Sequence, residues 1–169
     1  GNYIAFCDAD DLWDKDKLNY QLKFMKHKKI EFSHSNYYVI DSKSKKIGKF
    51  KVAKKISYNE LIKSCDIGLS SVMLKKSLVK KFFFSSLKTK EDYLLWLNLI
   101  YYIGSFDGID KNLVYWRQLN NSLSASSFQK IKDGYTLYKK HLNFSFLLSL
   151  FCVLRLSFYA LKKKITMYS

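Results

Sequence analysis

The segment YIAFCDADDLW, residues 3 to 13, runs five mostly apolar residues straight into three aspartates. A short apolar run of this kind suits a buried parallel strand, expected here over Tyr3 to Cys7. Carboxylates that follow such a strand occupy the ligand-binding edge of an open α/β sheet. Asp8, Asp10, Asp11, Asp14 and Asp16 are five of only 14 acidic residues, in a chain whose net charge is +16. Asp14 and Asp16 are placed to cap the next helix and to favour its dipole. Asp8, Asp10 and Asp11 lie too far upstream for that job. Three close carboxylates repel, so the segment is either a solvated acidic loop or a site compensated by a hard divalent cation. Mg²⁺ and Mn²⁺ take oxygen ligands, often one or two carboxylates plus substrate phosphates, and such an ion neutralises a diphosphate leaving group.

The rest of the chain alternates strand and helix patterns, which implies an α/β layer rather than a sandwich or a bundle. Leu18, Leu22 and Met25 recur at helical spacing, so a helix is expected over about residues 15 to 27. EFSHSNYYVID (31 to 41) reads as a strand, and KKIGKFKV (45 to 52) as a hairpin arm around Gly48. SYNELIKSC (57 to 65) opens with Ser57 and Glu60 at capping-box spacing before a short helix. LSSVMLKK (69 to 76) predicts a strand that enters a short helical SLVKKF. EDYLLWLNLIYYIG (91 to 104) is the clearest helix, with Leu94, Leu95, Leu97, Leu99 and Ile100 on a broad apolar face and Gly104 as its stop. NLVYWRQ (112 to 118) reads as a late strand, LNNSLSASS as a polar turn, and two helices close the chain near 125 to 141 and 144 to 164.

The 169 residues suggest one domain with a real core. The basic charge invites nucleic acid or an anionic membrane as partner. Nucleic acid is the weaker option, because only Arg117 and Arg155 carry the guanidinium fork that base and phosphate readers favour; the other 28 basic residues are lysines. Cys7, Cys65 and Cys152 show no metal-type or disulfide spacing, which fits a reducing cytosol. His27, His34 and His141 show no paired spacing and read as surface or satisfied core residues, not as ligands.

GNYIAFCDADDLWDKDKLNYQLKFM resembles the DxD segment of family 2 glycosyltransferases, which have a GT-A fold. That pattern is a glycine, an apolar strand, Asp-x-Asp-Asp, an aromatic, then a helix with Lys-Leu and Gln. It stands here as Gly1, Asp8, Asp10, Asp11, Trp13, Lys17, Leu18 and Gln21. The likeness continues in order through FSHSNYYVID, IGLSSVMLKKSLV, KEDYLLWLNLIYYIG and VYWRQLNNSLS, and so covers residues 1 to 124. The resemblance implies an α/β GT-A domain lacking its N-terminal part over 1–124, followed by a helical region over 125–169. It also implies an inverting transfer of a sugar from a nucleotide-diphosphate donor to a glycan or lipid-linked acceptor, assisted by Mg or Mn, in bacterial surface polysaccharide synthesis.

Carried over residue by residue, the resemblance makes Asp8 and Asp10 the metal and donor-diphosphate positions, with Asp11 as the neighbour that shares the task. It makes Asp92 the general base that deprotonates the acceptor hydroxyl, with Glu91 in support; a carboxylate beside the acceptor suits that proton transfer. Both acids also suit the first turn of their helix through its dipole alone. Arg117, in the counterpart of the family's Tyr-Arg stretch, is expected to clamp the departing diphosphate. Ser70 and Ser71 fall where the family has a small polar stretch near the sugar, and Trp13 reads as a packed aromatic. The family's nucleotide-gripping N-terminal half is not in this sequence, so the chain is expected to be part of something longer and inactive or unstable alone.

FSFLLSLFCVLRLSFYAL (144 to 161) carries one charge, Arg155, and is followed by Lys162, Lys163 and Lys164. As a helix it is about 27 Å long, marginal for a membrane span, and the central arginine opposes one. It reads as an interfacial helix on anionic lipid, or as a helix packed on the domain. The cytoplasmic enzyme is thus expected to lie at the inner face of the plasma membrane. Two other readings compete: a different Mg/Mn-dependent enzyme of phosphoryl transfer, and a non-catalytic basic membrane-binding module.

Overall fold

In the computed structural model, which describes residues 1–119 and 126–168, the strands are β1 (Tyr3–Ala5), β2 (Leu12–Trp13), β3 (Phe32–Ile40), β4 (Lys46–Phe50), β5 (Lys55–Ser57), β6 (Met73–Lys75) and β7 (Ser105–Arg117). The helices are α1 (Lys17–Lys28), α2 (Tyr58–Leu61), α3 (Lys76–Val79), α4 (Glu91–Ile103), α5 (Ser127–Thr136) and α6 (Phe146–Met167). The strands form one mixed sheet of order β1-β6-β3-β7-β2, with β4 paired to β3 and β5 to β7. This is the α/β class expected. Its spine is the parallel pair β3–β7, running from Ser33 opposite Asp107 to Ile40 opposite Arg117.

Helix α4 packs the core. Tyr93 to Leu97, Leu99 and Ile100 are all buried, and Gly104 ends the helix with a positive φ of 88° that a side chain disfavours. Phe32 of β3 and Phe106 of β7 stack with ring centroids 3.7 Å apart, and Trp96 of α4 lies edge-on to Phe32 at 5.3 Å. Burial of side chains of this size contributes about 1.5–3 kcal/mol each. The C-terminal helices join the same core: Cys152, Val153 and Leu156 of α6 pack with Leu137, Tyr138 and the α4 leucines. At its far end α6 rests on β4, where a Cβ on Gly48 would collide with the Met167 carbonyl. The expected boundary at residue 124, and most of the polar turn around it, lie outside the described residues.

Several expectations need correction. The opening strand is shorter than Tyr3 to Cys7, pairs antiparallel with β6, and is half-buried at the sheet edge rather than enclosed. β7 begins seven residues earlier than the expected 112, because SFDGIDK, polar as it is, pairs with β3 on one side and β5 on the other. Gly108 permits this, since a Cβ there would meet the Ala53 carbonyl. Asp16 does occupy the N-cap position of α1, but its side chain makes no cap hydrogen bond; Asp14 accepts from the Asp16 amide instead, at 3.0 Å. The Ser57–Glu60 capping box forms as expected, over a helix of four residues. His34 is fully buried, but neither ring nitrogen has a hydrogen-bond partner among the described residues, and burial holds its pKa down to about 3.

Candidate active site

The loop from β1 to β2 carries Asp8, Asp10 and Asp11, and it is fixed through its backbone. The Asp11 amide donates to the Asp8 carbonyl at 3.1 Å, closing a tight turn. The Asp8 amide donates to Ser70 Oγ at 2.9 Å, and the Trp13 indole nitrogen donates to the Ser70 carbonyl at 2.9 Å. Behind Ser70, Gln21 Nε2 donates to the carbonyls of Ser71 and Ser33 at 3.0 and 3.1 Å. Lys17 Nζ donates to Gln21 Oε1 at 2.8 Å and lies over the Trp13 ring, 4.4 Å from its centroid. Trp13, Lys17 and Gln21 therefore serve the loop's position, and Trp13 is the packed aromatic expected. Ser70 and Ser71 are buried and anchor the loop's floor.

Arg117, at the end of β7, grips the same loop from the other side. Its amide donates to Asp11 Oδ1 at 2.8 Å and its Nε to the Asp10 carbonyl at 2.7 Å. Its Nη1 donates to the Asp41 carbonyl at 2.8 Å and to Ser44 Oγ at 3.0 Å. These guanidinium nitrogens are bonded to the protein, so Arg117 joins the Asp10 loop to the β3–β4 turn.

None of Asp8, Asp10, Asp11, Glu91 and Asp92 is in an ion pair among the described residues. Asp11 is 7% exposed and its Oδ2 has no hydrogen-bond partner there; burial pushes its carboxyl up to about 6. Asp8 is also raised, by burial and then by the nearby Asp10 charge. Among the described residues no three His, Cys, Asp or Glu side chains converge as a closed metal cage. A magnesium-type ion does not need one, since it binds through one or two carboxylates plus substrate phosphates and waters. An orphaned buried carboxylate oxygen beside two further carboxylates fits that open mode.

Glu91 and Asp92 form the first turn of α4. Asp92 is half-buried, and its Oδ1 accepts from the Tyr93 amide at 2.6 Å. Burial, then the Glu91 charge, pushes its carboxyl up to about 6, and Asp8 is near enough to add to the shift. Glu91 Oε2 is buried without a hydrogen-bond partner among the described residues. Both acid groups line one cleft of about 940 Å³: Asp8, Asp10 and Asp11 from the loop, Glu91 and Asp92 from α4, with Arg117 beside them. The structure thus brings every expected site residue to a single cleft.

Sequence reasoning missed the cleft's cationic wall. Lys90 before α4, Lys130 of α5, and Lys163 and Lys164 of α6 also line it. Lys130 is lowered by burial and then by the Lys90 and Lys164 charges, so these three ammonium groups crowd one region. Lys163 is held apart, paired with Asp66 at 3.7 Å and lying over the Phe50 ring.

The mixed α/β sheet defines a fold class, and solved structures share that fold. Staphylococcus aureus TarS in complex with UDP-GlcNAc superposes with a TM-score of 0.60 at 19% identity, over 82% of this chain and 41% of that one. No family model matches the chain. Among curated proteins, the Escherichia coli UDP-Glc:alpha-D-GlcNAc-diphosphoundecaprenol beta-1,3-glucosyltransferase WfgD is 36% identical over 134 residues, 78% of this chain and 52% of that protein. The E. coli enzyme of the same description, WfaP, is 38% identical over 133 residues, 78% of this chain and 51% of that protein. The putative teichuronic acid biosynthesis glycosyltransferase TuaG of Bacillus subtilis is 28% identical over 166 residues, 98% of this chain and 66% of that protein. The chain is similar over most of its length to these bacterial glycosyltransferases, and its fold is part of a GT-A-type fold. It spans between about half and two thirds of the length of those curated relatives.

Proposed function

We propose that this chain carries the metal and acceptor side of an inverting, family 2 glycosyltransferase. In this reading it moves a sugar from a UDP-type donor to a lipid-linked glycan acceptor in surface polysaccharide synthesis, from the cytoplasmic face of the membrane. The observation that carries the proposal is the shared cleft: the DxD loop and the carboxylate of Asp92 face the same space. The names of the Escherichia coli relatives, which pair a UDP-linked sugar with a diphosphoundecaprenol acceptor, support the substrate class.

Asp8 and Asp10 would hold Mg²⁺ or Mn²⁺, which when bound supplies positive charge to the diphosphate leaving group. Asp11 supports them from its buried position, and Arg117 holds the Asp10 carbonyl beside the site. Asp92 accepts the proton of the acceptor hydroxyl as that oxygen bonds to the anomeric carbon. The bond from this carbon to the diphosphate oxygen breaks on the opposite face, and its electron pair leaves with the nucleoside diphosphate. The configuration therefore inverts. A carboxyl raised to about 6 is a stronger base than an ordinary aspartate and is still largely ionised at neutral pH.

The test joins this chain to the N-terminal half of WfgD and supplies a UDP-hexose with a diphospholipid-linked sugar acceptor. Nucleoside diphosphate is expected to be released with EDTA-sensitive, Mn²⁺-restored kinetics, and the chain alone is expected to give none. Release of inorganic phosphate instead, or turnover indifferent to EDTA, would contradict the assignment; turnover by the chain alone would contradict its need for that half.

A further inference from the structure

Helix α6 turns one face to the core and leaves a second apolar face outside. Ser149, Cys152, Val153, Leu156 and Met167 are buried. Arg155, expected to oppose a membrane span, points inward far enough to donate from Nη2 to the Ile62 carbonyl at 3.1 Å. On the opposite side Leu147, Phe151, Leu154, Phe158 and Leu161 follow one another at alternating steps of four and three residues, and each is between 57% and 75% exposed. That spacing keeps them on one line along the helix, about 21 Å from end to end. An apolar stripe of this length on a soluble surface marks an interaction site.

The charges beside the stripe select the occupant. Helix α6 contains no acidic residue, and Lys162 and Lys164 are exposed next to Leu161. Neighbouring α5 adds exposed Phe128 and Ile131 with exposed Lys130 and Lys132 among them. A second copy packed stripe to stripe would bring like charges together with no carboxylate on α6 to meet them. A bilayer surface bearing anionic headgroups receives both the apolar stripe and the lysines. No helix among the described residues is long and apolar enough to cross a membrane, so the fitting geometry is a helix lying in the interface.

We infer that α6 is an interfacial docking helix, its Leu147–Leu161 stripe seated among the acyl chains of an anionic phospholipid surface and its lysines at headgroup level. The same helix lines the catalytic cleft with Leu156, Ala160, Lys163 and Lys164. Lys164 sits about 100° around the helix from the stripe, between it and the cleft-lining Ala160. Docking through the stripe therefore sets the cleft's lysine wall beside the headgroup layer, where the diphosphate of a lipid-linked acceptor lies. The inference deepens the membrane-side placement proposed above but stands on the outer surface of α5 and α6, so its test needs no turnover.

The full 169-residue chain is mixed with phosphatidylcholine vesicles, with or without 30% phosphatidylglycerol (about a third, enough to set a negative surface potential), and vesicle-bound protein is measured by flotation. Binding to the anionic vesicles is expected to exceed binding to the neutral ones at least tenfold, and to weaken as salt is raised. The triple variant Leu154→Ser, Phe158→Ser, Leu161→Ser changes only exposed positions and is expected to lose at least tenfold in binding. Lys162→Glu with Lys164→Glu is expected to erase the preference for anionic lipid. Asp92→Asn, which disables the proposed chemistry, is expected to bind vesicles as the unaltered chain does. No vesicle binding, equal binding by the triple variant, or a dimer in sedimentation that the triple variant converts to monomer would each overturn the inference, the last by assigning the stripe to a second copy.

Discussion

The two acidic walls of the cleft are built in opposite ways. The Asp8–Asp11 loop has no helix or strand of its own and is held by its backbone: Ser70 takes the Asp8 amide, and Arg117 takes the Asp10 carbonyl and supplies its amide to Asp11. Asp92 instead stands on the first turn of a helix whose following five residues are all buried. The first wall fixes a chain path and leaves carboxylate oxygens to be satisfied by something that arrives. The second fixes one carboxylate in a partly dry setting that raises its proton affinity. The proposed reaction, which binds charge and then moves one proton, would use both kinds of wall, and neither substitutes for the other.

Asp10→Ala should break the contrast most strongly. In the domain completed with a relative's N-terminal half, Mn²⁺-dependent binding of UDP is expected to weaken by about a hundredfold, since one of the one or two carboxylates such an ion uses is gone. Unchanged UDP affinity by calorimetry would remove the loop from the donor site.

The second wall is sharpened by pH. As the proposed base, Asp92 would act only when ionised, and its raised pKa places the loss of that form at about 6 rather than near the ordinary aspartate range. Turnover at saturating substrates should therefore be flat above pH 7 and fall about tenfold per unit below 6. A midpoint near 4 would show that burial does not govern this carboxylate. The sign follows from the direction of the shift: a carboxyl with a raised folded pKa holds its proton to higher pH, so activity is lost on the acid side sooner.

A smaller effect is expected from Arg117→Ala, which removes hydrogen bonds to the Asp10 and Asp41 carbonyls. Charged hydrogen bonds of this kind contribute about 1.5–3 kcal/mol each, with incomplete additivity, so a loss of about 2–3 kcal/mol in unfolding free energy is expected by denaturant titration. UDP binding should weaken with it. Unaltered stability together with weakened UDP binding would instead assign Arg117 to the ligand directly.

How much of this was legible depended on how local the determinants are. Helix α4 could be read because its apolar residues and Gly104 are consecutive in the chain, and the packing that buries them agrees with that pattern. The aspartate loop could be read because five carboxylates in a +16 chain are anomalous without any structure. The first half of β7 could not: residues 105–111 are polar apart from Phe106 and Ile109, and only pairing with β3 and β5 makes them a strand. The resemblance singled out Arg117, but its hydrogen-bond partners could not be read, since they lie 106, 107 and 76 residues away. Lys130 gave no signal in a lysine-rich chain, and Lys164 read only as charge following an apolar segment, because α5 and α6 bring both to the cleft through tertiary packing. The opening strand was misjudged because an apolar run does not say whether both of its edges are paired.

The central claim is the division of labour between the two walls, and Asp92→Asn tests it most directly. In the completed domain, calorimetry of Mn²⁺-UDP binding and the turnover number are measured on the same preparation. The account predicts that UDP affinity stays within about twofold while turnover falls by about 10²–10⁴, the usual contribution of a general base. Turnover within tenfold of the unaltered protein, or a loss of UDP binding as large as that of Asp10→Ala, would contradict it.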